Sequence, residues 1–251
     1  MDIRGKVALV TGGGTGLGKV IAHQLAAEGM DIAIQYAHSQ EEALATVTSL
    51  RNLGVRATAV QGDLHAASVT EVSRRLIDEV ASQFGRLDLL INNAGTTRSV
   101  PFAQVDALTE ADWDAALNVN TKAPFLLTQA AAPLLRQQGG GQVINTASIA
   151  GLRAIGSSIA YAASKAALIH LTKCLAVALA PEIRVNAIAP GLLQTRWIAI
   201  FTDKQLEAVT QLAPLKKAAD LDDTAAAYVM LAKNESMTGA VIAIDAGVTA
   251  V

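Results

Sequence analysis

A cluster of glycines directly follows the first apolar run of the chain. The run Lys6–Thr11 reads KVALVT, and the segment Thr11–Gly18 reads TGGGTGLG. A segment of helical period then continues to Glu28. Without Cβ atoms, such a turn can adopt positive φ angles and let a phosphate approach the N–H groups at a helix start. The pattern favours a dinucleotide-binding turn, and the alternative is a turn that only packs helix on strand.

Short apolar runs alternate with longer segments of helical period along the rest of the chain. This rhythm is typical of βαβ units, and near-continuous apolar runs such as LDLLI are typical of strands buried on both faces. We therefore predict an α/β fold, a Rossmann-type doubly wound parallel sheet of about seven strands with helices on both faces and ligands at the carboxyl ends of the strands. The further candidate strands are Asp31–Tyr36, Arg56–Gln61, Leu87–Ile91, Gln142–Thr146, Ile183–Ile188 and Ala240–Ile244.

Composition excludes several classes of protein. The 251 residues are 51% hydrophobic and 17% charged, which argues against disorder and favours one domain over residues 1–251. Lys+Arg 20 against Asp+Glu 22 gives no basic excess, so we expect neither nucleic acid nor membrane as partner. The single cysteine, Cys174, the short first apolar run and the lack of an ~18-residue apolar stretch favour a cytoplasmic protein.

Further motifs follow the glycine turn in a fixed order. They are Asn92–Gly95 (NNAG), Asn120 in NVNT, Ser148 in ASIAG, Tyr161 and Lys165 in YAASK, Pro190-Gly191 with Thr195, and Ile244–Gly247 (IDAG). Together with T-G-x-x-x-G-x-G, this set resembles the short-chain dehydrogenase/reductase (SDR) family over nearly the whole chain. The resemblance implies an NAD(P)(H)-dependent oxidoreductase acting on a carbonyl or a secondary alcohol.

Tyr161 and Lys165 stand four residues apart in a helical segment, so both side chains project from one face. A free tyrosine has a pKa near ~10, and we expect the Lys165 cation to lower it. The resemblance implies that Tyr161 is the general acid or base while nicotinamide C4 exchanges hydride. It also implies that Lys165 binds the nicotinamide ribose. Taken singly, a half-buried tyrosine and a solvated lysine remain the alternatives.

Ser148 and Asn120 complete the catalytic set that the resemblance implies. Ser148 follows a candidate strand and would hydrogen-bond the substrate oxygen, with helix capping as its alternative role. Asn120 would hold a water that links Lys165 to solvent, a role that can coexist with bonding the backbone of its helix. A serine hydrolase is disfavoured because Ser148 lies outside a G-x-S-x-G motif.

The end of the second candidate strand favours NADP(H) over NAD(H). It reads Gln35-Tyr36-Ala37-His38-Ser39, with no acid to bind a ribose 2′-OH, and Asp31 lies at the opposite end. His38 and Ser39 could donate to a 2′-phosphate. Thr15 replaces the basic residue that many NADP-dependent relatives carry in the glycine turn, so NAD(H) stays possible. The expected cofactor contacts are Thr11, Gly12, Gly14, Thr15, Gly16, Leu17, Gly18, Tyr36, His38, Ser39, Asp63, Leu64, Asn93, Ala94, Gly95, Tyr161, Lys165, Pro190, Gly191 and Thr195.

Asp63 would bind adenine by resemblance, and its alternative role is to cap the helix after it. The segment 191–217 interrupts the βαβ rhythm and is predicted to cover the substrate, although a surface hairpin or a subunit contact would give the same pattern. We expect a carbonyl or secondary alcohol on a mid-sized apolar body as substrate, with Arg98 and Arg153 as the nearby charges. The expected substrate contacts are Ser148, Ile149, Ile155, Tyr161, Leu192 and Trp197.

Three other expectations concern assembly, metals and rival functions. The resemblance implies a homotetramer paired through the helical segments 111–135 and 159–179. His23, His38, His65 and His170 lack metal-ligand spacing, so no metal site is predicted. Rival readings are an enoyl reductase or dehydratase on the same frame and a non-catalytic dinucleotide sensor. The YAASK spacing favours C=O chemistry over enoyl reduction.

Overall fold

The strands form one sheet in a computed structural model, which describes residues 2–66, 68–137, 139–196, 198 and 202–250. All neighbouring strands are parallel and their order is β3-β2-β1-β4-β5-β6-β7. The strands are β1 Val7–Thr11, β2 Asp31–Tyr36, β3 Ala57–Gln61, β4 Leu89–Asn92, β5 Gly141–Thr146, β6 Ile183–Pro190 and β7 Val241–Ile244. The predicted doubly wound sheet is therefore confirmed, and the strand bounds differ from those predicted by at most two residues.

The helices are α1 Gly16–Ala27, α2 Gln40–Arg51, α3 Val69–Phe84, α4 Glu110–Leu117, α5 Ala123–Gln137, α6 Ile159–Leu179, α7 Asp203–Leu212 and α8 Leu221–Lys233. Helices α1, α2 and α8 contribute to the apolar core on one face of the sheet, and α3, α5 and α6 contribute to the core on the other. Buried strand residues alternate between the two cores, as Val7 and Ala8 do, because successive side chains point to opposite faces.

Strand order reverses between β1 and β4, whose carboxyl ends lie side by side. The first crossovers run outward from β1 to β3, and the later ones run from β4 to β7. Loops diverge at such a switch point and leave a crevice there. The glycine turn after β1 and the Asn93–Gly95 loop after β4 both lie at this point.

One turn of π-helix, Asn118–Lys122, joins α4 to α5. The segment 111–135, which the sequence predicts as one helical segment, is therefore divided between α4, the π-turn and α5. Single π-turns within α-helices are frequent at functional sites. This turn carries Asn120, which is fully buried.

Helix α6 is long and apolar enough to cross a membrane by length and composition, with a mean hydropathy of 1.4. A core helix of a sheet protein has the same properties. The inner face of α6 packs against β6, and the buried Lys165 lies on it. The packing of α6 therefore fits a helix of the protein core.

Candidate active site

The glycine turn forms a cradle without side chains. Gly16 has a φ of 53°, and a Cβ built there would lie 3.6 Å from Thr195. A Cβ at Gly18 would collide with the carbonyl oxygen of Gly12. The tight turn therefore requires glycine at Gly18 and favours it at Gly16, and a backbone without side chains at these positions fits the pyrophosphate of a dinucleotide.

Hydrogen bonds attach the turn to the neighbouring strand ends. The Thr11 hydroxyl accepts bonds of 2.9 Å from the main-chain N–H groups of Asn93 and Ala94, and Asn93 Nδ2 donates to the Thr11 carbonyl. Gly12 N donates to the buried Gln35 side chain. Thr11 and Asn93 therefore fix the two loops relative to each other. Sequence reasoning missed Gln35, although a buried glutamine at a strand end beside the turn was a usable signal.

The end of β2 carries no carboxylate. Asp31 lies at the start of β2 and pairs with Arg56 at 2.7 Å, far from the cleft. Tyr36 is partly buried and His38 is exposed. Ser39 precedes α2, yet its side chain makes no capping hydrogen bond with the helix. The Ser39 hydroxyl is therefore not committed to capping α2.

Asp63 and Leu64 follow β3 at the same edge. Asp63 Oδ1 accepts a 2.8 Å bond from His65 N, and Leu64 is buried. Helix α3 begins only at Val69 and is capped by Ser68. The capping alternative for Asp63 therefore does not hold, and its carboxylate forms a local turn at the cleft.

Tyr161 and Lys165 lie in the first two turns of α6. Ser158 caps this helix by accepting a bond from Tyr161 N, which fixes the start of α6 beneath the cleft. Lys165 Nζ lies 5.8 Å from the centre of the Tyr161 ring. The two groups share one face, as their spacing predicted.

Burial dominates the titration of both groups. Burial raises the pKa of Tyr161 to about 12, and a hydrogen bond with the Ser148 side chain opposes this rise. Burial lowers the pKa of Lys165 to about 7. The expectation that Lys165 lowers the pKa of Tyr161 needs correction for this structure, because removal of the phenol from water has the larger effect. Tyr161 therefore carries its proton at neutral pH.

Ser148 directly precedes a short 3₁₀ turn, Ile149–Gly151, that follows β5. Its hydroxyl accepts a 3.1 Å bond from Ala150 N and is also hydrogen-bonded to Tyr161. Capping and contact with Tyr161 thus coexist. Ser148 and Tyr161 present two hydroxyl groups to the same point, where a substrate oxygen can accept from both.

Asn120 connects three parts of the site. Its amide oxygen accepts from Thr96 N at 2.8 Å, and its Nδ2 donates to the Thr96 carbonyl and to the Ser164 hydroxyl. Ser164 lies beside Lys165 in α6 and donates to the Tyr161 carbonyl. The Asn120 side chain therefore connects the π-turn to the loop after β4 and to α6 by hydrogen bonds.

Thr146 supports Lys165 from the end of β5. Lys165 Nζ donates a 2.7 Å bond to the Thr146 carbonyl, and the Thr146 hydroxyl bonds the Tyr228 hydroxyl at 2.8 Å. Tyr228 belongs to α8 on the opposite face of the sheet and is fully buried. Sequence reasoning missed both supporting residues, because only the folded sheet brings α8 to this strand.

The loop after β6 closes the cleft on the side of β7. Gly191 N donates to the Ile244 carbonyl, and a Cβ on Gly191 would lie 2.9 Å from the Cα of Asp245. Pro190 ends β6, and Thr195 faces Gly16 across the cleft. Arg196, which the sequence-based list omits, donates to Thr15 Oγ1 at 2.7 Å.

An apolar rim lies next to Ser148 and Tyr161. Ile149 is buried, Leu192 is partly buried, and Ile155 and Leu152 are exposed. Trp197, predicted to contact substrate, lies outside the described residues. Among the residues that the structure describes, no group of three or more His, Cys, Asp or Glu side chains could hold a metal ion.

Comparison with known proteins agrees with this geometry. A family model described as short chain dehydrogenase matches residues 6–205. The granaticin polyketide synthase putative ketoacyl reductase 2 of Streptomyces violaceoruber is 39% identical over 96% of this chain and 95% of its own. The 3-oxoacyl-(acyl-carrier-protein) reductase FabG of Staphylococcus aureus is 37% identical over 96% and 97%. A short chain dehydrogenase from Burkholderia cenocepacia, solved in complex with NADP, superimposes with a TM-score of 0.90 at 38% identity over 99% of each chain.

The fold and the site define a nicotinamide-dependent oxidoreductase: a phosphate-accepting turn at the switch point, beside a tyrosine, a lysine and a serine at the sheet edge. The chain belongs to the short-chain dehydrogenase/reductase family. It exchanges hydride between a nicotinamide cofactor and a carbonyl or alcohol substrate.

Proposed function

We propose that this protein is an NADPH-dependent reductase of ketones carried on an apolar chain, with Tyr161 as the proton donor. The observation that carries the proposal is the pair of hydroxyls of Tyr161 and Ser148, with the pKa of Tyr161 raised to about 12. A phenol that keeps its proton at neutral pH suits donation to a carbonyl oxygen as hydride arrives at the carbon. Reduction is therefore the favoured direction.

Lys165, Ser148 and Asn120 have supporting roles in this proposal. Ser148 orients the substrate oxygen and stabilises its developing charge. Lys165, with its pKa lowered to about 7, would bind the nicotinamide ribose and return protons to Tyr161. Asn120 holds the loop after β4 against α6 and thereby fixes the position of both groups. Asn120 would in addition hold a water that links Lys165 to solvent.

The cofactor proposed is NADP(H) rather than NAD(H). Support comes from the missing carboxylate at the end of β2, the uncommitted Ser39 hydroxyl and the NADP complex of the Burkholderia relative. One carboxylate does lie near this end of the cleft. Glu42, in the first turn of α2, has its carboxylate 3.9 Å from Arg196, which lies beside the glycine turn.

The substrate proposed is uncharged where it meets the site. Arg98 donates to Asp112 at 2.6 Å, and Arg153 donates to the Val248 carbonyl at 2.6 Å, so both nearby guanidinium groups already have protein partners. The rim formed by Leu152 and Ile155 offers apolar contact instead. Two relatives are named as ketoacyl reductases, which makes 3-oxoacyl thioesters the first substrates to test.

Residues 1–251 act as one catalytic domain in this proposal, and segment 191–217 covers the substrate. Within this segment, Leu193 bridges to Ala219 and Leu215 N donates to the Ala246 carbonyl, so the loop is attached to the sheet at its base. Thr195 of this segment lies next to Gly16 of the glycine turn. A segment that is anchored in this way and that also contacts the glycine turn through Arg196 is suited to cover the cleft.

A substrate panel tests the function. NADPH oxidation is followed with a 3-oxoacyl thioester, a bulky cyclic ketone, a carboxylated ketone and an enone. We expect the highest kcat/KM with the apolar ketones and no turnover of the enone. Turnover of the enone alone would establish an enoyl reductase, and nucleotide binding without turnover of any compound would establish a sensor.

We also propose that the protein is a cytoplasmic homotetramer. Large apolar side chains are exposed on the helices expected to pair, namely Trp113 and Leu117 of α4, Phe125 of α5 and Val177 of α6, which is 83% exposed. Burial of such a surface would favour association. Light scattering at micromolar concentration should give four times the chain mass, and a Val177→Glu variant should shift the mass downward. A monomeric wild-type protein would contradict the proposal.

A further inference from the structure

Arg196, in the loop after β6, reaches the glycine turn and the start of α2 with its side chain. Its Nη2 donates a 2.7 Å hydrogen bond to the hydroxyl of Thr15, in the middle of the glycine turn. Its Nη1 lies 3.9 Å from Glu42 Oε1 in the first turn of α2. One guanidinium therefore lies between the start of α1, the start of α2 and the loop after β6.

The glycine turn has no positive side chain of its own. The segment Thr11–Gly18 contains neither Lys nor Arg. Thr15 directly precedes α1 and makes no side-chain capping bond to it, so its hydroxyl is available to hold Arg196. Arg196, in the loop after β6, therefore supplies the positive charge that the glycine turn lacks.

Glu42 is a weak partner for Arg196. The distance of 3.9 Å is at the limit for an ion pair, and the two side chains are 65% and 53% exposed. Exposed ion pairs of this kind contribute little to stability. A phosphate dianion offers more charge and accepts two parallel bonds from a guanidinium, so it would displace the Glu42 carboxylate.

Ser39 lies on the same side of the cleft, three residues before Glu42. Its hydroxyl makes no capping bond with α2. A phosphate held by Arg196 beside α2 would be within the region that this hydroxyl can reach. The Arg196 guanidinium and the Ser39 hydroxyl could therefore bind one phosphate together from two sides.

We propose that Arg196 determines the preference for NADP(H) by binding the 2′-phosphate of the adenosine ribose, while Thr15 orients its guanidinium and Glu42 holds it before the nucleotide arrives. This rests on the proposed NADP(H) preference. It assigns the specificity of the cofactor to the covering segment.

Binding measurements by calorimetry test the proposal, with NADPH, NADH and adenosine 2′,5′-bisphosphate as probes. Arg196→Gln should weaken the binding of NADPH and of the bisphosphate about tenfold or more and leave the Kd for NADH within about twofold. Glu42→Gln should have the opposite effect and strengthen NADPH binding a fewfold, since it removes the competing carboxylate. The matched control is Arg136→Gln, which also breaks an exposed Arg–Glu pair, with Glu182, and should change no affinity.

Two results would overturn the assignment. An equal loss of NADPH and NADH affinity in Arg196→Gln would place Arg196 on the pyrophosphate that both nucleotides share. Unchanged affinities for all three probes in Arg196→Gln would show that Arg196 does not contribute to nucleotide binding. A wild-type protein that reduces ketones faster with NADH would refute the proposed cofactor preference itself, and wild-type NADPH preference with an unaffected Arg196→Gln would refute only the role of Arg196.

Discussion

The ammonium group of Lys165 donates a 2.7 Å hydrogen bond to the main-chain carbonyl of Thr146, the last residue of β5. A buried ammonium that lacks a carboxylate partner is costly, and this neutral acceptor offsets the cost only in part. The pKa of Lys165 falls to about 7 as a result of burial. The sheet edge therefore supplies a lysine that changes charge near neutral pH, next to the tyrosine that is proposed to give up a proton.

Tyr161→Phe should abolish ketone reduction and preserve nucleotide binding. The substitution removes only the hydroxyl, and a positioned general acid contributes about 10²–10⁴ in rate. We expect kcat to fall by at least about 10² while the Kd for NADPH stays within about twofold. Steady-state kinetics and calorimetry on the same preparation check this. A variant that retains more than about half of the wild-type kcat would exclude Tyr161 as the acid.

The free energy of unfolding should rise as pH increases from 7 to about 10. Folded Lys165 loses its proton near pH 7, whereas the unfolded lysine keeps it to about 10.5, so the unfolded state binds more protons across this window. Above pH 10 the raised pKa of Tyr161 acts in the opposite direction. Urea unfolding at pH 7 and pH 9 measures the slope. Lys165→Met should flatten it, and an unchanged slope in that variant would contradict the assignment.

Tyr228→Phe should destabilise the fold by about 1–3 kcal/mol, because it leaves the Thr146 hydroxyl without its partner inside the protein. Thr146→Val removes the other hydroxyl and leaves the main-chain acceptor of Lys165 in place. The double variant should be less destabilised than the sum of the two single variants. Strictly additive effects in urea unfolding would show that the two hydroxyls do not stabilise each other.

Gly18→Ala should weaken NADPH and NADH alike, since its Cβ would collide with the Gly12 carbonyl and displace the turn that both nucleotides share. Gly54→Ala is the matched control. Gly54 has a φ of 86° with nothing within 4 Å of an added Cβ, so backbone strain alone costs about 1–2 kcal/mol of stability there. Nucleotide affinity should change only in Gly18→Ala. A loss of affinity in both variants would mean that general destabilisation is responsible.

The periodicity of the sequence was sufficient to predict the parallel sheet and its strand positions, because alternating apolar runs and helical segments are local patterns. The i and i+4 spacing likewise predicted that Tyr161 and Lys165 share a face. The partners of these residues are not local. Thr146 meets Tyr228 from 82 positions away, and Arg196 meets Thr15 from 181 positions away. The pKa direction of Tyr161 also depends on burial, which the folded chain sets.

Transfer of label from NADPH to a ketone tests the central claim most directly. The reduced cofactor carries deuterium at both C4 positions of the nicotinamide, the substrates are a 3-oxoacyl thioester and, in a parallel reaction, an enone, and the products are analysed by mass spectrometry and NMR. We expect one deuterium on the carbon that bore the carbonyl oxygen with the wild-type protein and none with Tyr161→Phe. An unlabelled product, or deuterium delivered to the β-carbon of an enone and never to a carbonyl carbon, would contradict the assignment as a ketone reductase.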